Sequence, residues 1–163
     1  MSAGWFVVNV GDANWESKGE FGVRTRFESP DERFPHFGIN VHVLNPGQAS
    51  GLYHAEEAQE GFLVLAGACL AVIDGQEHQL RQWDYFHCPP GTRHVLVGAG
   101  EGPCVVLMLG APRSASLSEI LYPRDPVAER HGASVSETTR SSKRAYADRT
   151  ITGPPVRAPW PDG

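Results

Sequence analysis

Cysteine is scarce in this sequence, and its spacing excludes two common structural devices. The chain has three cysteines, at positions 69, 88 and 104. An odd number of cysteines without a Cys-x-x-Cys pair fits neither a disulfide framework nor a zinc knuckle. We therefore expect Cys69, Cys88 and Cys104 to be reduced and buried thiols.

Runs of positive charge and long apolar runs are also missing. Fourteen lysines and arginines stand against nineteen aspartates and glutamates, which gives a net charge of −5. No basic run is available to bind a phosphate backbone, so we expect no nucleic-acid partner. No stretch approaches the roughly 18 apolar residues of a membrane span, and the first five residues lack the basic region of a signal peptide. These absences predict a cytoplasmic protein without a membrane partner.

Stretches free of both glycine and proline are short. Eighteen glycines and thirteen prolines interrupt the chain, and the longest stretch without either covers residues 133–152. Long helices are thereby excluded over most of the sequence. What the sequence has instead is a series of strand-sized apolar or alternating runs separated by turn residues. These runs cover residues 5–10, 21–27, 38–44, 61–66, 69–73, 85–88, 92–97 and 104–109.

The turn signals between these runs indicate antiparallel strands. Asp74-Gly75 follows the run at 69–73 and is typical of a two-residue hairpin turn, because a type I′ turn needs positive φ at both central residues. Gly67 and Gly91 are expected to supply positive φ in other turns. Several short strands at this spacing predict an all-β sandwich or barrel.

The composition changes after residue 112. Serine, threonine and charged residues dominate through residue 149, and a proline-rich segment follows at 153–161. A proline-rich arm cannot join a central strand, so we expect it to wrap the body or to stay mobile. One helix is predicted within 136–147. The length suits one domain, with a barrel core at about residues 20–112 and irregular amino- and carboxy-terminal extensions, the latter covering 113–163.

Two separated segments carry the side chains that suit a metal ion. His54 and Glu56 are two residues apart, a spacing that puts both on one face of a strand, and Glu60 follows at the next strand. The second segment places His94 three residues after the glycine of a Pro-Pro-Gly turn. Imidazole nitrogen and carboxylate oxygen together suit divalent first-row metals. The site hypothesis therefore includes His54, Glu56, Glu60 and His94.

These two segments resemble the paired motifs of the cupin superfamily. The first motif usually reads Gly, His-x-His, Glu and Gly, and the second Gly-Asp-x4-Pro-x-Gly-x2-His. This sequence departs at two positions, because Glu56 replaces the second His and Trp83 stands where Gly is usual. The matching residues are Gly47, His54, Glu60 and Gly67 in the first motif and Asp84, Pro89, Gly91 and His94 in the second. The resemblance covers about residues 38–110.

The resemblance implies a double-stranded β-helix, a cupin or jelly-roll barrel, with a divalent metal ion (Fe, Mn, Zn or Ni) near its centre. Carried over by position, His54, Glu60 and His94 are the expected ligands. Glu56 is either a fourth ligand or a catalytic acid–base group, or it points away. Two glutamates instead of one would make the centre neutral, which reduces its attraction for anions and favours harder ions such as Mn²⁺ and Fe²⁺.

Several neighbouring residues receive weaker assignments. Phe62 and Met108 are predicted walls of a substrate pocket. His42 lies in the run at 38–44 and faces either the pocket or solvent. His87 and Cys88 do not coincide with a ligand position of the motifs, and Cys88 is interpreted as a small buried residue.

We therefore expect a metal-dependent enzyme of oxygenase or isomerase type that acts on a small organic molecule. The alternative is a non-catalytic module that binds a small molecule or a metal, for example a sensor. A helix-turn-helix domain has no room in the chain, which disfavours a transcriptional role. We also expect a homodimer, in which the run at 5–10 adds to the sheet edge of a neighbouring copy.

Overall fold

The computed structural model of the chain describes residues 5–28, 34–111 and 119–159. These residues are built mainly from antiparallel strands. The strands are β1 (Asn14–Ser17), β2 (Val23–Arg26), β3 (Gly38–Leu44), β4 (Ala55–Glu56), β5 (Glu60–Ala66), β6 (Ala68–Ile73), β7 (Gln76–Arg81), β8 (Tyr85–Cys88), β9 (His94–Ala99), β10 (Cys104–Gly110) and β11 (Ile120–Leu121). The helices are α1 (Pro126–Arg130) and α2 (Ser142–Ala145), with 3-10 turns at Val10–Asp12 and Gly19–Phe21.

The strands form two main sheets. The larger has the order β1-β2-β3-β10-β5-β8 and the smaller the order β7-β6-β9, while β4 and β11 form a separate pair. Every pairing is antiparallel, and sequence neighbours such as β5 and β6 lie in different sheets. This arrangement is the predicted double-stranded β-helix.

The Asp74-Gly75 turn is confirmed. Asp74 has φ 45° and Gly75 has φ 75°, and the two residues join β6 to β7, with Ile73 paired to Gln76 across the hairpin. Positive φ at both central residues defines the type I′ geometry that matches strand twist. The strand after this turn, β7, was not predicted, because it is polar and mostly exposed.

The space between the two sheets is filled by a core drawn from both. Its members alternate with outward-facing residues along β3, β5, β9 and β10. They are Leu44, Phe62, Val64, Cys69, Cys88, Leu96, Cys104 and Val106. All three cysteines are free and buried, as predicted.

The outer faces of both sheets are covered as well. Trp15, Val41, Val43 and Val105 pack on the outside of the larger sheet, and Val156 and Ala158 of the carboxy-terminal arm contact them. The outside of the smaller sheet is covered by a second cluster that includes Tyr53, Ile120, Tyr122 and Val135. The extensions therefore bury apolar side chains on both faces of the barrel.

Two predictions about the ends need correction. The run at 5–10 is not a strand: residues 5–9 pair with no strand of the described chain, and Val7 is 90% exposed. The side chain of Asn9 instead accepts a hydrogen bond from the backbone of Gly11 and caps the 3-10 turn. The helix expected within 136–147 is confined to α2, because the residues before it form an extended segment that pairs with Tyr122 through Thr139.

The described part of the proline-rich arm lies along the body, where Pro155 forms an isolated bridge with Glu16. Residues 113–118 and 160–163 of the predicted extension lie outside the described residues. Among the described residues, no helix has both the length and the apolarity needed to cross a bilayer.

Candidate metal centre

Three of the predicted ligand residues lie together in the barrel. His54 precedes β4, Glu60 begins β5 and His94 begins β9. One nitrogen or oxygen atom from each of these side chains lies within 4.8 Å of the corresponding atoms of the other two. The Nε2 atom of His94 is 3.3 Å from Oε2 of Glu60. The fold thus gathers two imidazoles and one carboxylate from distant parts of the sequence.

Both histidine rings are oriented by backbone carbonyl groups. Nδ1 of His54 is 2.7 Å from the carbonyl oxygen of Leu52, and Nδ1 of His94 is 3.1 Å from that of Thr92. A carbonyl oxygen only accepts, so each Nδ1 carries a proton. When such a ring is neutral, its Nε2 holds the lone pair that binds a metal ion.

The surroundings shift the pKa values of His54 and His94 in opposite directions. Burial and the nearby His54 lower the pKa of His94 to about 4, so its ring is neutral at pH 7. Burial also lowers the pKa of His54, but its hydrogen bond to Glu56 and the charge of Glu60 outweigh burial and leave that pKa above the ordinary value. Both neighbouring glutamates thus favour the protonated form of His54.

Glu56 lies beside this group rather than within it. Its Oε1 atom is 3.4 Å from Nε2 of His54, and its side chain is 12% exposed. It is not among the three side chains whose donor atoms meet within 4.8 Å. The structure therefore places a carboxylate next to the three donors, and Glu56 does not point away from them.

The three donors open into a cavity of about 570 Å³. The residues predicted as pocket walls, Phe62, Met108 and His42, all line it. His42 faces this cavity and not solvent, since it is 6% exposed. Val41 and Val43 of the same strand are buried on the other face of the sheet, so β3 is covered on both sides.

Cys88 and His87 stay outside the donor group. The Sγ atom of Cys88 is 3.4 Å from Nδ1 of His94, the nitrogen on the far side of the ring from Glu60. Burial raises the pKa of the Cys88 thiol to about 12, which keeps it protonated. His87 is exposed on β8.

The terminal extensions supply cavity residues that the sequence did not reveal. The ring of Tyr122 lies 6.0 Å from that of His54, centroid to centroid. Tyr146 also lines the cavity, and its hydroxyl accepts a hydrogen bond from the backbone amide of Leu52. From the amino-terminal side, Lys18 and Arg24 line the same cavity. The tyrosines carry no local signal, because only the tertiary fold brings the extension to the barrel mouth. Arg24 did carry a local sequence signal, because it lies in the alternating run at 21–27.

The fold and this site together define a class: a double-stranded β-helix with a cluster of metal-type donors inside the barrel. Residues 40–110 match the family model described as the cupin domain. Solved structures described as cupins share the fold, and the chain contains a cupin domain at these residues.

The similar solved structures are distant in sequence. A protein from Silicibacter pomeroyi described as a sugar phosphate isomerase from a cupin superfamily is 18% identical, with 90% of this chain and 97% of that chain covered and a TM-score of 0.60. KdgF from Halomonas sp. is 22% identical, with coverages of 69% and 98% and a TM-score of 0.57. The polyketide cyclase RemF from Streptomyces resistomycificus is 16% identical, with coverages of 66% and 79% and a TM-score of 0.57.

At these identities the likeness establishes the fold. A comparison with curated protein sequences gave no significant match.

Proposed function

We propose that the protein is a metal-dependent cupin enzyme of oxygenase or isomerase type that acts on a small organic molecule. The residues fit a divalent ion, because two imidazole nitrogens and a carboxylate oxygen are a common first-row donor set with positions left open. Donors bound at about 2.1 Å lie roughly 3–4 Å from one another. The observed separations, up to 4.8 Å, need only small side-chain adjustments to reach that range.

The observation that carries the proposal is the orientation of the two rings. His54 and His94 each direct Nδ1 to a backbone carbonyl, so both are held in the tautomer that presents Nε2. A carbonyl partner of this kind is the usual support of a metal-binding histidine. Nε2 of the neutral His94 ring faces Oε2 of Glu60 at 3.3 Å. A lone pair and a carboxylate oxygen share no proton to donate, so a shared cation is the partner that suits both atoms.

A divalent ion held by His54, Glu60 and His94 would polarise an oxygen atom of a bound substrate. Glu56 is the group placed to move a proton. Its carboxylate lies outside the three donors and lines the same cavity, so it can accept a proton from the substrate and return it at a neighbouring atom. This is the role that an isomerase requires.

The cavity wall supports binding of a small molecule. Phe62, Leu96 and Met108 provide an apolar surface beside the donors, which excludes water and orients a ligand. Two proteins of similar fold are described as a sugar phosphate isomerase and as a polyketide cyclase. These names are consistent with the proposal but specify no substrate for this chain.

The test is metal analysis of the protein purified without added metal, together with His94→Ala. We expect about one Fe or Mn per chain in the parent protein and almost none in the variant. His78→Ala is the matched control, because His78 is exposed on the edge strand β7. Oxygen uptake and product analysis with a substrate panel then distinguish an oxygenase from an isomerase.

Two outcomes would contradict the proposal. Metal content that is unchanged by His94→Ala would remove the site. Full occupancy by zinc without turnover of any substrate would favour a non-catalytic binding or sensor protein.

A further inference from the structure

A set of polar and cationic residues lines the cavity away from the metal-type donors. Arg24 of β2 is paired in register with His42 of β3, so both side chains point to the same face of the sheet. Asn40 lies two residues before His42 on β3 and shares that face. Lys18, directly after β1, completes the set, and all four residues line the cavity.

Two atoms of this set are buried without a partner among the described residues. They are Nδ1 of His42 and Oδ1 of Asn40. Burial of His42 lowers its pKa to about 3, so the ring is neutral at pH 7 and offers one N–H donor. Buried polar groups are nearly always hydrogen-bonded, because an unmet group costs about 1–3 kcal/mol. Unpartnered polar atoms on a cavity wall therefore point to a polar ligand.

The local charge shows which sign that ligand should have. Glu16 forms ion pairs with Arg24 and with Arg26, the latter at 3.0 Å. No carboxylate among the described residues forms an ion pair with Lys18. Arg24 and Arg26 thus share a single carboxylate, and Lys18 adds a third positive charge near them, in a protein whose net charge is −5. A cluster of excess positive charge at a cavity attracts anions.

The positive charge of Lys18 and Arg24 also complements the negative charge of the metal-type donors in the other part of the cavity. The two carboxylates of Glu56 and Glu60 would neutralise a divalent ion bound there, so the metal centre itself gives little attraction for an anion. Attraction must come from elsewhere on the wall, and Lys18 and Arg24 supply it.

We propose that Lys18, Arg24, His42 and Asn40 form a subsite that binds the carboxylate of a small organic acid, and that the substrate is such an acid. The ammonium of Lys18 and the guanidinium of Arg24 provide charge. The neutral ring of His42 and the side-chain amide of Asn40 provide hydrogen bonds that fix the orientation of the ligand. The amide of Asn40 can donate because turning it by 180° presents its N–H₂ group. The substrate assignment rests on the proposed function, whereas the anion subsite itself does not require a metal.

The experiment is calorimetric titration of the full-length protein at pH 7, once metal-free and once with Mn²⁺. The probe is glutarate, and glutaramide of the same shape but without charge is the control ligand. We expect saturable glutarate binding and at least tenfold weaker binding of glutaramide. Lys18→Met should weaken glutarate binding about tenfold, as expected for loss of one charge-assisted hydrogen bond.

Lys143→Met is the matched control variant, because Lys143 is exposed and does not line the cavity; it should bind glutarate like the parent. Lys18→Arg should retain most of the affinity. His42→Phe tests the neutral donor, and a circular dichroism spectrum checks its folding. If that variant fails to fold, the half-buried Lys18 variants still decide the question.

Equal binding of glutarate and glutaramide, or no effect of Lys18→Met, would overturn the subsite. Tight binding of methyl phosphate without binding of glutarate would overturn the carboxylate assignment. Glutarate binding that depends on Lys18 in a protein that takes up no metal would support the subsite while refuting the proposed metal-dependent function.

Discussion

His54 and His94 are joined by a reciprocal pair of backbone hydrogen bonds. The amide of His94 donates to the carbonyl of His54 at 2.8 Å, and the amide of His54 donates to the carbonyl of His94 at 3.1 Å. Their rings lie 4.8 Å apart, centroid to centroid. The two motifs are therefore fixed to each other through the main chain, so that the spacing of the rings does not depend on loop conformation alone.

This fixed spacing predicts that a bound metal stabilises the folded state. A ligand that binds only the native protein adds about 2.7 kcal/mol to the free energy of unfolding at one hundred times its Kd. We expect this increase with Mn²⁺ in the parent protein, measured by urea unfolding at several metal concentrations. Glu60→Gln should abolish the increase, whereas Glu57→Gln, at an exposed neighbouring position, should preserve it. An increase that persists in Glu60→Gln would place the metal elsewhere.

A second prediction concerns the pKa of His54 in the metal-free protein. The hydrogen bond to Glu56 is the largest effect that raises the pKa of His54. Glu56→Gln removes the negative charge, so the pKa of His54 should fall, and the ring should become neutral at a lower pH than in the parent. NMR titration of the histidine ring protons of the metal-free protein measures this shift. Glu57→Gln should leave the titration of His54 as it is in the parent, and an equal effect of both variants would count against the contact.

The strands of the barrel could largely be predicted from the sequence, because alternation and turn residues are local signals. The run at 38–44 and the run at 85–88 coincide with β3 and β8. The pattern was wrong for 5–10, a mostly apolar run with which no described strand pairs. It also missed Gln76–Arg81, a polar edge strand that is specified by the preceding turn and not by its own hydrophobicity.

The donor residues of the site could be predicted because two motifs carried them, but the rest of the cavity could not. Tyr122 reaches His54 from the extension after the barrel, and Lys18 reaches the cavity from before it. No spacing along the chain relates these residues to the motifs. Their placement depends on which extension covers which sheet, which is a property of tertiary packing.

A third prediction is increased acid sensitivity caused by His42. Its pKa is about 3 in the folded protein against an ordinary value of 6.5, so below pH 6.5 the unfolded chain binds a proton that the folded chain does not. The stability due to neutral His42 is therefore complete above about pH 6.5 and is lost as the pH falls toward 3. One such group adds a slope of up to about 1.4 kcal/mol per pH unit.

His42→Gln should remove this contribution, so its unfolding free energy should decrease less than that of the parent between pH 6.5 and pH 4.5. Urea unfolding at a series of pH values measures the difference. His78→Gln, at an exposed position, should follow the parent. Parallel curves for the parent and His42→Gln would show that His42 titrates normally.

The predicted homodimer no longer has a strand at 5–10 to form its interface, but the same region presents exposed aromatic residues. Trp5 is 75% exposed and Phe37 is 51% exposed. The rings of Phe6 and Phe34 are stacked, with their centroids 6.1 Å apart. We propose that these four residues contact a second copy. Size-exclusion chromatography with light scattering should show a dimer at micromolar concentration, and Phe37→Ser should shift it toward monomer.

Trp83→Ser is the control for that variant, because Trp83 is an exposed aromatic residue, at 67%, outside the cluster. A parent protein that is monomeric at micromolar concentration would contradict the dimer proposal.

The last prediction concerns the position where this chain departs from the second cupin motif. Trp83 has φ 76° and lies in the turn closed by the hydrogen bond from the amide of Asp84 to the carbonyl of Arg81. A side chain is strained at such a φ, and glycine is not. Because Trp83 is 67% exposed, its removal costs little burial. Trp83→Gly should therefore leave the free energy of unfolding unchanged or raise it by up to about 1 kcal/mol.

Tyr85→Gly is the matched comparison. Tyr85 is 56% exposed, but it lies in the extended strand β8 and its hydroxyl covers Gly61. Glycine in a strand is destabilising by roughly 0.5–1 kcal/mol relative to alanine, and the lost contact adds to this. Urea unfolding should thus show a lower free energy of unfolding for Tyr85→Gly and no decrease for Trp83→Gly. A loss of stability in Trp83→Gly as large as in Tyr85→Gly would mean that the indole makes a contribution that outweighs the backbone strain.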